Sequence, residues 1–131
     1  MKHLLPEGWP RPKGYSNGIS VDGGRTIFVA GLIGWNADEI IECDDMAGQF
    51  RQTLENIVAV LKEGGAGPEH VVRMTWYITD KAEYLNSLKE IGAAYRDVMG
   101  KNYPTMACVE VSALMENRAK IEIETTAVVP I

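Results

Sequence analysis

Two stretches hold most of the groups in this chain that can do chemistry. In "YPTMACVEV", residues 103–111, alternation places Met106, Cys108 and Glu110 on one side of a strand. In "AKIEIETTAVV", residues 119–129, Lys120, Glu122 and Glu124 alternate with Ala119, Ile121 and Ile123. A carboxylate such as Glu122, held in a cleft, is the kind of group that activates water as a general base. The competing reading is a solvated or interface-paired carboxylate on a strand. Cys108 has no histidine near it in sequence, so a Cys–His nucleophile is not signalled. His3 and His70 are isolated, and Cys43 and Cys108 form no metal-type spacing. We therefore expect no metal, no cofactor, and two reduced thiols in a cytoplasmic protein.

The chain's bulk properties narrow the function classes. Its 131 residues fit one domain, 1–131, with a single core. Thirteen Lys and Arg against eighteen Asp and Glu give a formal charge of -5. No basic run stands out, which gives nucleic-acid binding little support. No apolar run approaches the ~20 residues of a membrane span. The start, "MKHLLPEGWPRPKG", has too short an apolar stretch for a signal peptide.

The elements that must position these groups follow from periodicity. Residues 1–18, rich in Pro and Gly, read as an irregular opening segment. Residues 19–21 and 26–30 read as a hairpin around Asp22-Gly23-Gly24. Gly31 and Gly34 break the second strand and allow close backbone approach. A helix is predicted over about 44–64, capped by Asp44 or Asp45. Its apolar stripe is Met46, Phe50, Leu54, Ile57, Val58 and Leu61, and Gly64-Gly65 ends it. "HVVRMTWYIT", residues 70–79, reads as a strand. Asp80 with Glu83 forms a capping box for a second helix striped by Tyr84, Leu88, Ile91, Tyr95 and Val98 and closed at Gly100.

The order β-β-α-β-α-β-β puts two crossover helices on one face of a mixed sheet. That is an α+β two-layer sandwich, ferredoxin-like. If the apolar sets face the helices, the uncovered face carries Met106, Cys108, Glu110, Lys120, Glu122 and Glu124. Solvation accounts for the charged members. Met and Cys on an open face fit a subunit seam better, with a cleft at its edge. A homo-oligomer of closed symmetry is expected.

Several segments together resemble the Rid family, also called YjgF or L-PSP. They are "PKGYSNGI" at 12–19, "IFVAGLIG" at 27–34, "QFRQTLENIVAVLKEGGAG" at 49–67, "VVRMTWYITD" at 71–80, "YPTMACVEV" and "KIEIETTAV". The resemblance covers nearly the whole chain. It implies homotrimers of chorismate-mutase-like subunits, with small-molecule clefts between subunits and an activity of hydrolysing imines or enamines such as 2-aminoacrylate. It maps substrate contacts onto Tyr15, Gly31 and Cys108, and water positioning onto Glu122. It also exposes departures. Met106 stands where the family carries a carboxylate-gripping arginine. Ala30 and Leu32 replace a serine and a glutamine, and the Asn expected on the second helix falls near Gly92. Met offers neither charge nor donors. The implied substrate is thus an imine or enamine other than 2-aminoacrylate, with 2-aminomuconate-like products as one class. The second reading is a ligand-binding or regulatory trimer without turnover. Ribonuclease or translation-inhibiting activity, also implied by the resemblance, sits poorly with the acidic charge. Trp35 faces either a ligand or the packing, and Tyr15 is either a site residue or a packed aromatic.

Overall fold

The computed structural model describes residues 1–131. In chain order the elements are β1 (Lys2–Leu4), β2 (Gly18–Ser20), β3 (Arg25–Ile33), α1 (Met46–Glu63), β4 (Val71–Ile78), α2 (Lys81–Asn86), α3 (Leu88–Met99), β5 (Thr105–Glu110) and β6 (Ile121–Val129), with a 3-10 turn at Pro68–His70. Four strands form the main sheet in the order β3-β6-β4-β5. β6 runs antiparallel to both its neighbours, and β4 and β5 are parallel. Parallel neighbours need a crossover, which α2 and α3 provide. The expected α+β class, with helices over one face of a mixed sheet, is what the chain adopts.

α1 forms where the stripe predicts. The Asp45 side chain accepts the Gly48 N–H at 2.9 Å, and the Gly64 N–H closes the last turn. Met46, Phe50, Leu54, Ile57 and Leu61 are fully enclosed and share one core with Met74, Trp76, Ile121 and Ile123 of the sheet. The second helical stripe is interrupted. Ser87 leaves helical geometry and donates its hydroxyl to the Glu83 carbonyl, which separates α2 from α3. The capping box is half formed. Asp80 accepts the Glu83 N–H at 3.0 Å, but the Glu83 carboxylate turns to Lys120 Nζ at 2.8 Å.

The expected hairpin does not form. β2 pairs with β1 in the opening segment, with His3 opposite Ile19, and β3 pairs with β6. The nine-residue β6 offers β3 far more cross-strand contacts than the three-residue β2 can. The opening segment is accordingly less irregular than its composition implies. Ser16 also bridges to Thr105, and its hydroxyl donates to the Tyr103 carbonyl, which seats the segment along the edge of β5.

Side-chain amides on α1 tie the loops to the sheet. Gln49, 1% exposed, donates to the Cys43 and Arg118 carbonyls at 3.0 Å each and accepts the Lys120 N–H at 2.8 Å. Asn56 donates to the Ile33 and Trp35 carbonyls. Gly34 lets the helix come this close, since a Cβ there would lie 2.4 Å from the Gln49 carbonyl oxygen. Removing the Gln49 amide strands three backbone groups in a closed environment. Gln49→Ala should therefore lower stability by about 3 kcal/mol in urea unfolding at fixed protein concentration. Val60→Ala, on the solvent side of the same helix, should change it by less than about 0.5 kcal/mol.

Candidate functional site

Sheet register decides which of the chemical groups can meet, because residues directly opposite each other share a face. Met106, Cys108 and Glu110 stand opposite Met74, Trp76 and Ile78, all of which are buried beneath the helices. The expectation that these three lie on the uncovered face is therefore wrong: they belong to the helix side. Met106 and Cys108 pack against the core, and Glu110 Oε1 accepts the Lys81 N–H at 2.7 Å at the start of α2. Lys120 also leaves the predicted set. It precedes β6 and pairs with Glu83 of α2.

Glu122 and Glu124 do lie on the uncovered face, opposite Tyr77 and Thr75. The Tyr77 hydroxyl donates to Glu124 at 2.6 Å. That bond, reinforced by partial desolvation and the charges of Glu124 and Glu122, raises the tyrosine's pKa. Glu122 has no hydrogen-bond or ion-pair partner within the chain. It lies against Gly31, where a Cβ would sit 2.5 Å from Oε2. This contact exists because β3 bulges: Val29 opposes Thr125 and Leu32 opposes Ile123, so Ala30 and Gly31 together span the place of Glu124. Phe28, 80% exposed on the same face, stands opposite Thr126.

The other group of expected residues surrounds a cavity of about 430 Å³ on the helix side, between α3 and β5. Tyr15, Met106 and Cys108 line it together with Trp76, Tyr84 and Tyr95. Trp76 packs on Phe50 with ring centroids 4.8 Å apart, and Tyr95 stacks on Tyr103 at 5.6 Å. Burial pushes the Cys108 thiol up, and the neighbouring Tyr84 hydroxyl offsets part of this. The thiol is thus held protonated at neutral pH, which argues against a covalent nucleophile.

The chain therefore brings Glu122 to Gly31, and Tyr15 to Met106 and Cys108, but keeps the two groups on opposite faces of one sheet. Sequence reasoning missed Trp76, Tyr84, Tyr95, Tyr103 and Arg96 as cavity residues. Tyr84 and Tyr95 were visible in the stripe of the second helix, but a stripe does not show where it outruns the sheet edge. Trp35 resolves as packing, against the small cluster of Ile33, Ile41 and Ala119. No three His, Cys, Asp or Glu side chains converge as a metal site would require, and no helix is long and apolar enough to cross a membrane.

Comparison with known proteins gives consistent results. The profile of the family described as Endoribonuclease L-PSP matches residues 10–129. A RutC family protein of Pyrococcus abyssi is 36% identical over 127 residues, covering 95% of this chain and 94% of its own. The human 2-iminobutanoate/2-iminopropanoate deaminase is 30% identical over 115 residues, covering 87% of this chain and 79% of its own. Among solved structures, the Rid family protein YyfB of Yersinia pestis superposes with a TM-score of 0.82 at 31% identity, covering 98% of both chains.

The cavity's tyrosine carries a pH signature. Burial first, and Cys108 second, push the Tyr84 hydroxyl up to about 12. An unfolded tyrosine ionises near pH 10, so the unfolded chain releases this proton first. The stabilisation is complete below about pH 10 and is lost as pH rises toward 12. Melting temperatures followed across that window should fall for the wild type, and fall less steeply for Tyr84→Phe.

Proposed function

Because the chain belongs to the Endoribonuclease L-PSP family, the Rid and RutC group, we propose that it is a hydrolytic deaminase of small imines or enamines other than 2-aminoacrylate. The reading has it working as a homotrimer with its sites in the clefts between subunits. The observation that carries it is the division of the site residues. Glu122 and Gly31 lie on the uncovered sheet face, while Tyr15, Met106 and Cys108 line a cavity on the covered face. Neither half alone holds all the groups that the hydrolysis needs. Juxtaposing the open face of one copy with the cavity of a neighbour would assemble both halves, and the exposed Phe28 supplies apolar surface for such a contact.

In the assembled site, Glu122 takes a proton from water as its oxygen attacks the C=N carbon. A C–O bond forms and the C=N bond becomes a C–N single bond. The carboxyl returns the proton to nitrogen, giving a carbinolamine; Glu122 then carries the hydroxyl proton to that nitrogen as the C–O bond becomes C=O, the C–N bond breaks, and ammonia leaves behind a carbonyl product. Gly31 leaves room for the carboxylate, and backbone N–H groups near Gly31 and Cys108 steady the charge that develops. This rests on a relative named as a deaminase and on a free carboxylate beside a glycine. The alternative family chemistry, on RNA, finds no favouring observation in a chain of net charge -5.

Turnover is read by generating imines with amino-acid oxidases and following semicarbazone decline. Wild type should accelerate the loss of at least one imine, and Glu122→Gln should slow it by about 100-fold or more with the oligomer intact. Glu122→Gln mixed by co-expression with the cavity-filling Cys108→Phe should regain activity, since mixed trimers then contain wild-type clefts. Acceleration of no imine, or full activity in Glu122→Gln, would overturn the reading.

A further inference from the structure

The walls of the cavity indicate which ligands it selects. Nine of its thirteen lining residues are hydrophobic, and buried Trp76, Ile91 and Tyr95 form its base. A volume of about 430 Å³ is enough for a ring-bearing small molecule. Its charged lining residues are Lys13 and Arg96, and no carboxylate lines it. Both cations are exposed, so they sit at the opening rather than the base. A ligand that matches these walls has an apolar body and an anionic end.

Arg96 is the better placed of the two. It sits on α3, and its guanidinium reaches back over Gly92, with Nη1 3.3 Å from where a Cβ at that position would be. The adjacent Asp97 is already paired with Arg51 at 2.8 Å. Arg96 takes part in none of the chain's ion pairs, so its fork of donors is free for a carboxylate. Met106 supplies soft apolar surface beside it, adaptable to an irregular hydrocarbon or ring. Lys13, on the opening segment, is a point charge on a flexible stem.

We propose that Arg96 is the carboxylate-binding residue of this cavity and that its preferred ligands are 2-imino and 2-oxo acids with an aromatic or large apolar side chain. The carboxylate bridges to the guanidinium while the side chain lies among Trp76, Tyr84 and Met106. The imino half rests on the deaminase reading above; the carboxylate-plus-apolar half stands on the cavity.

Calorimetric titration of the whole protein with phenylpyruvate, pyruvate and the neutral analogue phenylacetone tests the binding half. Phenylpyruvate should bind at least about tenfold more tightly than either comparator, and Arg96→Gln should weaken it by roughly 10- to 100-fold. Arg96 is exposed and its guanidinium takes part in no hydrogen bond or ion pair within the chain, so the variant should fold as the wild type does. Equal binding of pyruvate, no binding of phenylpyruvate, or unchanged affinity in Arg96→Gln would overturn the proposal. Imines generated from phenylalanine and alanine test the rest. The aromatic imine should be favoured in kcat/KM, and Arg96→Gln should raise KM for both imines while the preference for the aromatic one remains. Arg96-dependent phenylpyruvate binding without turnover would remove the deaminase reading and leave the ligand site. Turnover indifferent to Arg96 would do the reverse.

Discussion

The parity of the β4–β5 ladder is the constraint on which the site depends. Trp76 lies opposite Cys108, and Met74 opposite Met106. With a side-chain period of two, a slip of one residue would turn Met106 and Cys108 out to the uncovered face and Ala107 and Val109 in toward the helices. The bulk of Trp76, clamped by Phe50 and Tyr95, fixes which side of β4 is inward. β4 then dictates β5. The same ladder on its other side sets Tyr77 opposite Glu122, so one central strand assigns the thiol and the carboxylate to different faces.

The cavity follows from what β5 is: an edge strand beneath a helix that reaches past it. α3 covers the core with Ile91, Ala94, Tyr95 and Met99, but beyond Cys108 there is no further strand to fill the space under Leu88 and Gly92. Tyrosines close part of the gap. Tyr95 stacks on Tyr103 and donates to the Asn102 carbonyl, which holds the turn before β5 against the helix. The opening segment closes another part through the Ser16 bridge, bringing Tyr15 to the rim. The absence of a side chain at Gly92 leaves the rest open and lets Arg96 lie over it.

These relationships explain which parts of the structure were legible in the sequence. α1 and the last strand have strong, one-sided patterns, so their faces could be read directly: Phe50, Leu54 and Leu61 on one stripe, Ile121 and Ile123 on one side. β5 has no such bias. Thr105, Ala107 and Val109 are as mild as Met106 and Cys108, so alternation shows a strand but not which side is inward. Only the register to Trp76 decides, and register is a tertiary property. The pairing of β3 was hidden for a related reason. Asp22-Gly23-Gly24 is sound turn chemistry, but the turn leads out of one small sheet into another, and the preferred partner lies nearly a hundred residues away. The bulge at Ala30 and Gly31 could be anticipated as an irregularity from the glycine, whereas its alignment with Glu122 could not. Ser87 ended a helix whose stripe ran unbroken through it, because its hydroxyl competes for the backbone locally while the stripe records only which side is buried.

Placing the carboxylate and the cavity on opposite faces has an energetic logic. A cavity for an apolar ligand needs packed support, which only the helix-covered face can give. An unpaired carboxylate on that face would face a large desolvation cost during folding of the single chain. On the uncovered face Glu122 stays hydrated until another surface covers it, so folding of the chain does not bear that cost. In the proposed trimer the cost is instead met on assembly, where burial of Phe28 and its neighbours offsets it. Met106, together with the proposed role of Arg96, extends the same logic to binding. A guanidinium projecting from β5 would have to be charged within the packed face, beside Cys108 and Tyr84. A guanidinium at Arg96 reaches the same cavity from its exposed rim, where water shares the cost of its charge, and leaves the interior wall apolar.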